Sequence, residues 1–123
     1  MAAKLSRKNI VDLMGFAANL RVAHWQADTV TNTHKTLGDL YEAIDGLTDD
    51  LAEMAMGKDG SVEFPEANLV LKPGVSLAEL LQAGLNVLSN ARAECVPGVD
   101  DDLLTTLADM SAAINRAKYL LKV

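Results

Sequence analysis

Apolar side chains recur every three to four residues in four separate stretches of the chain, which is the spacing of an amphipathic α-helix. The first stretch runs from about Ser6 to Asp28, and the second runs from about Thr33 to Met56. The third begins at Ser76 and ends near Cys95, and the fourth runs from Asp100 to about Leu121. The pattern therefore predicts an all-α chain of four helices.

A long segment with neither helical nor strand periodicity separates the second and third predicted helices. Residues 58–75 contain Pro65 and Pro73, and three glycines lie within or beside this segment. Because these residue types interrupt regular structure, we expect a long surface connection here. One long connection between the second and third helices of a four-helix bundle is the ferritin-like arrangement. The predicted fold is therefore a ferritin-like four-helix bundle with a long crossover between helices 2 and 3.

Local start and stop signals agree with these limits. Ser6 and Ser76 are expected N-caps, and Ser76 also opens a capping-box pattern. We expect Asn32 or Thr33 to cap the second helix and Gly57 to end it.

The composition fits a single helical domain over residues 1–123. Half of the residues are hydrophobic and only 4% are aromatic, so the core should be mainly aliphatic, which suits helix-on-helix packing. The formal charge of −6 argues against nucleic acid and against an anionic membrane as partners. Because no signal peptide is visible and no apolar run approaches membrane-spanning length, we expect a cytoplasmic protein without a membrane partner.

Two smaller features bear on function. The short N-terminal basic cluster of Lys4, Arg7 and Lys8 is expected to be a solvated helix start, with DNA protection as the alternative. Cys95 is the only cysteine, which excludes an intrachain disulfide, and we expect it to be a buried packing residue.

The candidate chemistry lies between residues 24 and 53. This stretch contains both histidines of the chain, His24 and His34, and two carboxylates one helical turn apart, Asp49 and Glu53. Imidazoles combined with such a carboxylate pair can bind iron, manganese or zinc. These four residues are the candidate metal ligands. The alternatives are interface packing for the histidines and a solvated acidic surface for the carboxylates.

Helix geometry separates the two halves of this candidate site within one chain. The step from His34 to Asp49 corresponds to roughly 22 Å along a helix. The two histidines flank the predicted turn between the first two helices, so they should lie together at one end of a helical hairpin. If all four residues act together, a second copy must pack antiparallel across this surface. The prediction is a dimer with two equivalent sites, each combining His24 and His34 of one chain with Asp49 and Glu53 of the other.

These motifs resemble those of the starvation-type mini-ferritins, the Dps proteins. The family pattern is a His-Trp pair, a second histidine and a later Asp-x-x-Ala-Glu. This chain has His-Trp at 24–25, His34 and the segment DDLAE at 49–53.

The chain is also similar to a group of short phage-encoded ferritin-like proteins of unknown function. The shared features are HKTLGDLY at 34–41, Gly57 and the C-terminal YLL at 119–121. Together, the resemblances cover residues 20–57 well and the last helix loosely.

The resemblance implies a metal-binding protein with iron as its metal, His24, His34, Asp49 and Glu53 as ligands at a two-fold interface, and assembly into a larger cage. It also implies ferroxidase-like iron oxidation and iron sequestration, in a host cytoplasm or a virion if the chain is phage-encoded. The mini-ferritins have a further aspartate four residues after the second histidine, where this chain has Gly38. We therefore expect a site that is weaker than a ferroxidase centre or that binds one ion instead of two.

A second class of function stays open from the sequence. Gly38, the short chain and the acidic surface also fit a metal-free helical oligomer, or a phage-encoded interaction or structural protein that retains the fold. Stoichiometric binding of Fe(II), Mn(II) or Zn(II) separates the two classes, because only the first requires it.

Overall fold

The computed structural model describes residues 5–123, a range that contains four α-helices and no β-strand. The helices are α1 (Arg7–Gln26), α2 (Asn32–Asp59), α3 (Leu77–Ala93) and α4 (Asp101–Leu121). This confirms the predicted all-α chain of four helices and is consistent with a four-helix bundle. Within the described range, none of the helices has the length and apolar character needed to cross a membrane.

The first and third helices begin where the sequence predicts. The hydroxyl groups of Ser6 and Ser76 each accept a hydrogen bond from the backbone N–H three residues later, at 3.4 Å and 3.2 Å. These bonds satisfy amides that the first turn of a helix otherwise leaves without a partner. Both predicted N-caps are therefore confirmed.

The second helix differs from its predicted limits at both ends. Its N-cap is Thr31, not Asn32 or Thr33, because the Thr31 hydroxyl accepts a hydrogen bond from the amide three residues on at 3.2 Å. It ends at Asp59, and its C-cap is Gly60, which adopts a left-handed conformation with φ of 73°. Gly57, the predicted stop, lies inside the helix.

An ion pair between the start of α1 and the end of α2 accounts for the extra residues of α2. Nη2 of Arg7 donates to both carboxylate oxygens of Asp59, at 2.8 Å and 3.0 Å, and to the carbonyl oxygen of Ser61 at 2.7 Å. Only 10% of the Arg7 side chain and 12% of the Asp59 side chain are exposed. The pair therefore anchors the last turn of α2 beyond Gly57.

The N-terminal basic cluster is only partly solvated, contrary to expectation. Arg7 is largely buried in its pair with Asp59, whereas Lys8 forms an exposed pair with Asp12 at 2.7 Å. Lys4 lies outside the described residues. Arg7 and Lys8 both have carboxylate partners in the chain, which reduces the charge that these two residues offer to DNA.

Each helix packs against two neighbours around a shared core. α1 contacts α2 and α3, and α4 contacts the same two helices. The diagonal pairs, α1 with α4 and α2 with α3, do not contact each other within residues 5–123. Cys95 is buried, as predicted. The largest fully buried side chains are almost all aliphatic: Ile10, Leu13, Leu20, Leu37, Ile44, Leu51, Leu81, Leu88, Leu107, Met110 and Ile114.

Hydrogen bonds between helix ends show the directions of the helices. Asn32 at the start of α2 donates to the carbonyl oxygen of Leu120 near the end of α4, at 3.1 Å, so these helices are antiparallel. The N–H of Ser6 before α1 donates to the carboxylate of Glu94 after α3, at 2.9 Å, so α1 and α3 are antiparallel as well. The short turn after Gln26 makes α1 and α2 antiparallel. Consequently, α2 and α3 run in the same direction.

The connection between α2 and α3, residues 60–76, is held along the outside of α1. It begins beside Arg7 at the start of α1 and later passes Asn19, near the other end of that helix. The side chain of Asn19 donates to the carbonyl oxygen of Val70 at 2.9 Å and accepts a hydrogen bond from the N–H of Lys72 at 2.6 Å. These two bonds tie the connection to α1.

Candidate metal centre

His24 and His34, hereafter the histidine pair, lie together beside the turn between α1 and α2, as their spacing predicts. Their rings are stacked, with centroids 3.9 Å apart and planes inclined by 27°. Nδ1 of His24 donates to the carbonyl oxygen of His34 at 2.7 Å, and Nδ1 of His34 donates to the carbonyl oxygen of His24 at 2.8 Å. Each imidazole is therefore held by the backbone of the other histidine.

These two hydrogen bonds determine which ring nitrogens are available to a ligand. A carbonyl oxygen only accepts hydrogen bonds, so each Nδ1 must carry a proton. In the neutral rings, each Nε2 then keeps its lone pair, which is the state that a metal ion requires of a histidine ligand. Both side chains are half-buried. The turn thus presents two imidazoles, each held in one tautomer.

The end of α1 explains why this arrangement forms. Carbonyl groups in the last turn of an α-helix have no amide of the same helix to accept from. Because α1 ends at Gln26, the carbonyl of His24 belongs to this group. His34 supplies the missing donor from the first turn of α2, where the Thr31 cap holds its backbone.

Gly38 provides the space in which the His24 ring lies. A Cβ added at Gly38 would lie 2.7 Å from Cε1 and 3.0 Å from Nδ1 of His24, closer than van der Waals contact. The departure from the mini-ferritin pattern therefore has a structural consequence, because an aspartate at this position would displace the ring. The neighbouring Asp39 does not replace that carboxylate at the site, because it is exposed and pairs with Lys35 at 2.7 Å.

Tyr41 lies near the His24 ring, and Arg21 contacts Tyr41. The ring centroid of Tyr41 lies 6.4 Å from that of His24. Nη2 of Arg21 donates to the Tyr41 hydroxyl at 2.9 Å, and the Arg21 guanidinium carbon lies 4.5 Å from the centroid of the Tyr41 ring. Tyr41 is also packed against the core, which agrees with its expected packing role.

Asp49 and Glu53 lie on the exposed surface of α2, where Asp50 joins them. One carboxylate oxygen from each residue lies within 4.8 Å of the others, and we call the three residues the acidic cluster. Across the described chain, no cation pairs with any of them. Sequence reasoning did not include Asp50 among the ligands, although its three-residue spacing from Glu53 was an available signal.

The two halves of the predicted centre lie apart in one chain. Because α2 is a single helix, the step from His34 to Asp49 remains roughly 22 Å. Neither histidine belongs to the group of potential ligand atoms that the acidic cluster forms. The four-ligand centre therefore stays a prediction that needs a second chain.

In comparisons with known proteins, no family model, curated protein or solved structure matches this chain. The resemblance to the Dps proteins and to the phage-encoded group thus stays a prediction.

Proposed function

We propose that this protein is a ferritin-like metal-binding protein that binds iron between two copies of the chain. The histidine pair of one chain and Asp49 and Glu53 of the other hold the ion, with manganese and zinc as alternative metals. The biological role of this site is Dps-like iron oxidation and sequestration.

The histidine pair is the observation that carries the proposal. A hydrogen bond from one ring nitrogen to a backbone carbonyl is the usual way in which proteins orient a metal-binding histidine. Here both imidazoles have that bond, and each leaves Nε2 as the remaining acceptor. His34 alone satisfies the open carbonyl of His24 at the end of α1. The need to cap α1 therefore does not explain the second bond, from His24 to the carbonyl of His34.

The donor set fits the proposed metals. Two imidazole nitrogens with two or three carboxylate oxygens suit Fe(II), Mn(II) and Zn(II). The acidic cluster has no cation partner in residues 5–123, so binding breaks no ion pair and reduces the repulsion among the carboxylates. Bound iron supplies redox chemistry toward oxygen or peroxide, and the chain's residues hold and orient the ion. Because Gly38 contributes no carboxylate, one ion per site is favoured over two.

The order of the helices supports the ferritin-like part of the proposal. α2 and α3 run in the same direction without contacting each other, and their connection follows α1 from one end toward the other. A long crossover between the second and third helices gives ferritin-like bundles this order.

A second copy of the chain is the partner that this site requires. Antiparallel two-fold packing brings the histidine pair of each chain against the acidic cluster of the other. Met14, Arg21 and Trp25 share one side of α1 by their spacing, and Met14 and Trp25 are 46% and 67% exposed. Association across this side of α1 would cover that apolar surface. We further propose that this dimer is the building unit of a larger cage.

Mixing two inactive variants tests the shared site. His24→Ala removes one half of every site and Glu53→Ala removes the other, so neither variant should bind Fe(II) stoichiometrically in anaerobic titration. In a mixed dimer, the chain with intact His24 meets the chain with intact Glu53, and one complete site forms. An equal mixture should recover about a quarter of the wild-type capacity, because half of the dimers are mixed and each has one of two sites.

The matched control is Asp109→Ala, which removes an exposed carboxylate on α4 and should leave the capacity unchanged. Wild-type capacity in either single variant would contradict the proposal. So would a mixture that forms mixed dimers, verified by native mass spectrometry, without any recovered binding.

The second candidate function is a metal-free interaction or structural protein, phage-encoded and retaining the fold. It is favoured by aromatic exposure at the end of the bundle where α2 begins and α4 ends. Trp25 and Tyr119 are 67% and 80% exposed there. Exposed apolar surface commonly marks a contact with another protein. Metal-dependent oxidase turnover by the wild-type chain would exclude this candidate.

A further inference from the structure

A groove between α1 and α2 carries two opposite charges that are not paired with each other. Arg21 and Asp45 both line this groove, together with Met14, Tyr41 and Leu69 among others, and its volume is about 180 Å³. Both charged side chains are exposed. Neither forms an ion pair in the part of the chain that the structure describes. Both charges are therefore available to a partner.

Arg21 is positioned by an aromatic residue instead of a carboxylate. It donates to the Tyr41 hydroxyl at 2.9 Å, and its guanidinium carbon lies 4.5 Å from the Tyr41 ring centroid. These contacts restrict the side chain, while its other guanidinium N–H groups make no hydrogen bond within residues 5–123 and can donate to an acceptor. A restricted arginine loses less conformational entropy when it forms an ion pair.

The register of the proposed dimer determines which residues of the two chains meet. That register places the histidine pair of one chain against Asp49 and Glu53 of the other. Arg21 lies three residues before His24 on α1, about one helical turn toward the middle of the interface. Asp45 lies four residues before Asp49 on α2, also one turn toward the middle, but from the opposite end. The same register therefore brings Arg21 of each chain level with Asp45 of the second copy.

We infer that Arg21 of each chain pairs with Asp45 of a second copy, and that these two ion pairs set the register of the dimer. The inference rests on the proposed function, because the register comes from the shared metal site. The partner is a second copy because this surface is self-complementary. Arg21 lies on the side of the histidine pair, and Asp45 lies on the side of the acidic cluster. Ion pairs across an interface act mainly on partner choice and register, and like charges in the same places oppose association.

Charge reversal with mixing tests the inference. Arg21→Glu and Asp45→Arg each convert both pairs of the dimer into like charges. Each should raise the dissociation constant of the metal-free dimer by at least about 100-fold in sedimentation velocity with a chelator present. An equal mixture should form mixed dimers with a dissociation constant within about threefold of the wild type. In such a dimer the two introduced charges attract each other, and the native Arg21 and Asp45 meet as well.

The mixing step distinguishes a pair between chains from one within a chain. If Arg21 and Asp45 interacted only inside one chain, mixing could not repair either variant. Asp39→Arg is the matched control, because Asp39 is an exposed carboxylate of the same helix that lines a different groove, between α2 and α4. This control should leave the dissociation constant unchanged.

Three results would overturn the inference: a single reversal that leaves the dimer intact, a mixture that fails to recover, or a wild-type chain that stays monomeric. The measurement needs no metal, so its outcome is separate from that of the proposed function. A dimer that behaves as expected but binds no iron contradicts only the metal site. A dimer that binds iron but is insensitive to both reversals contradicts only the ion pairs.

Discussion

The two halves of the proposed metal centre are constructed differently. The histidine pair is fixed inside one chain by ring stacking, by two hydrogen bonds to backbone carbonyls and by the space above Gly38. The acidic cluster lies exposed on one side of α2, with no cation partner in the described residues. The histidine pair is therefore ordered by folding of the chain, whereas the acidic cluster makes ligand or interface contacts only when an ion or a second chain binds.

This difference has a consequence for metal binding. Ligands that are already ordered lose little entropy when an ion binds, so the histidine pair sets the position of the ion. Exposed carboxylates can adjust their geometry to the ion's size and charge. Mutations in the two halves should thus differ in their effect on the metal-free fold: those in the histidine half should destabilise it, whereas those in the acidic half should act mainly on the complex.

The largest expected difference is in the stability of the metal-free protein. His24→Ala removes a half-buried ring and its hydrogen bond to the His34 carbonyl, and should lower the free energy of unfolding by about 1.5 kcal/mol. Glu53→Ala removes one of three mutually repelling carboxylates and should change it by less than about 0.5 kcal/mol, toward higher stability. Urea unfolding at a fixed protein concentration, with a chelator present, measures both. Equal losses in the two variants would remove the distinction between the halves.

A pair of glycine substitutions on α2 tests the fit of the histidine half. Gly46→Ala should stabilise the protein by about 0.5–1 kcal/mol, because within residues 5–123 no atom beyond the adjacent residues and the local helix backbone lies within 4 Å of the added methyl group, and alanine favours a helix. Gly38→Ala should lose that gain, because its methyl group would collide with the His24 ring. We also expect Gly38→Ala to weaken Fe(II) affinity by about 10-fold, as for other changes that disturb a ligand's supporting contacts.

Thermal unfolding and anaerobic titration of the two glycine variants give the comparison directly. Gly46→Ala is the internal control for helix propensity, since both glycines lie within α2. If both variants are stabilised equally and bind Fe(II) as the wild type does, the ring is not held by the contact at Gly38.

The smallest expected effect is on the pH dependence of stability. It compares Asp102, which pairs with Lys58, with the acidic cluster, which has no cation partner in residues 5–123. Nζ of Lys58 lies 3.1 Å from a carboxylate oxygen of Asp102, and this hydrogen bond holds the pKa of Asp102 below its ordinary 3.8. A lowered pKa in the folded state stabilises the fold above the unfolded-state pKa, and this stabilisation disappears as the pH falls through the lower folded value. Asp102→Asn should therefore be slightly less stable than the wild type near pH 7, and the two unfolding curves should converge in acid.

Asp49→Asn provides the matched comparison for the pH experiment, because its carboxylate has no cation partner in residues 5–123. Its stability should not fall below that of the wild type near pH 7. A constant offset between Asp102→Asn and the wild type, unchanged from neutral to acid pH, would show that the ion pair is not the cause.

Local signals predicted much of the fold, and long-range contacts account for the errors. Ser6 and Ser76 begin their helices because a cap needs only its own side chain and an amide three residues away. The end of α2 was predicted at Gly57, but the helix extends to Asp59 and Gly60 is its C-cap. The buried partner of Asp59 there is Arg7, which lies 52 residues away in the chain. No local pattern contains that contact.

From the sequence alone it follows that there are four helices and that one chain cannot bring its histidines to its distant carboxylates. Both conclusions need only the period and the rise of an α-helix. The folded chain adds that the histidines stack, that each donates to the other's backbone, and that Gly38 leaves room for the His24 ring. Those features depend on how α1 and α2 pack at the turn, where ångström-scale contacts between neighbouring helices determine which side chains fit. Helical spacing does not contain that information.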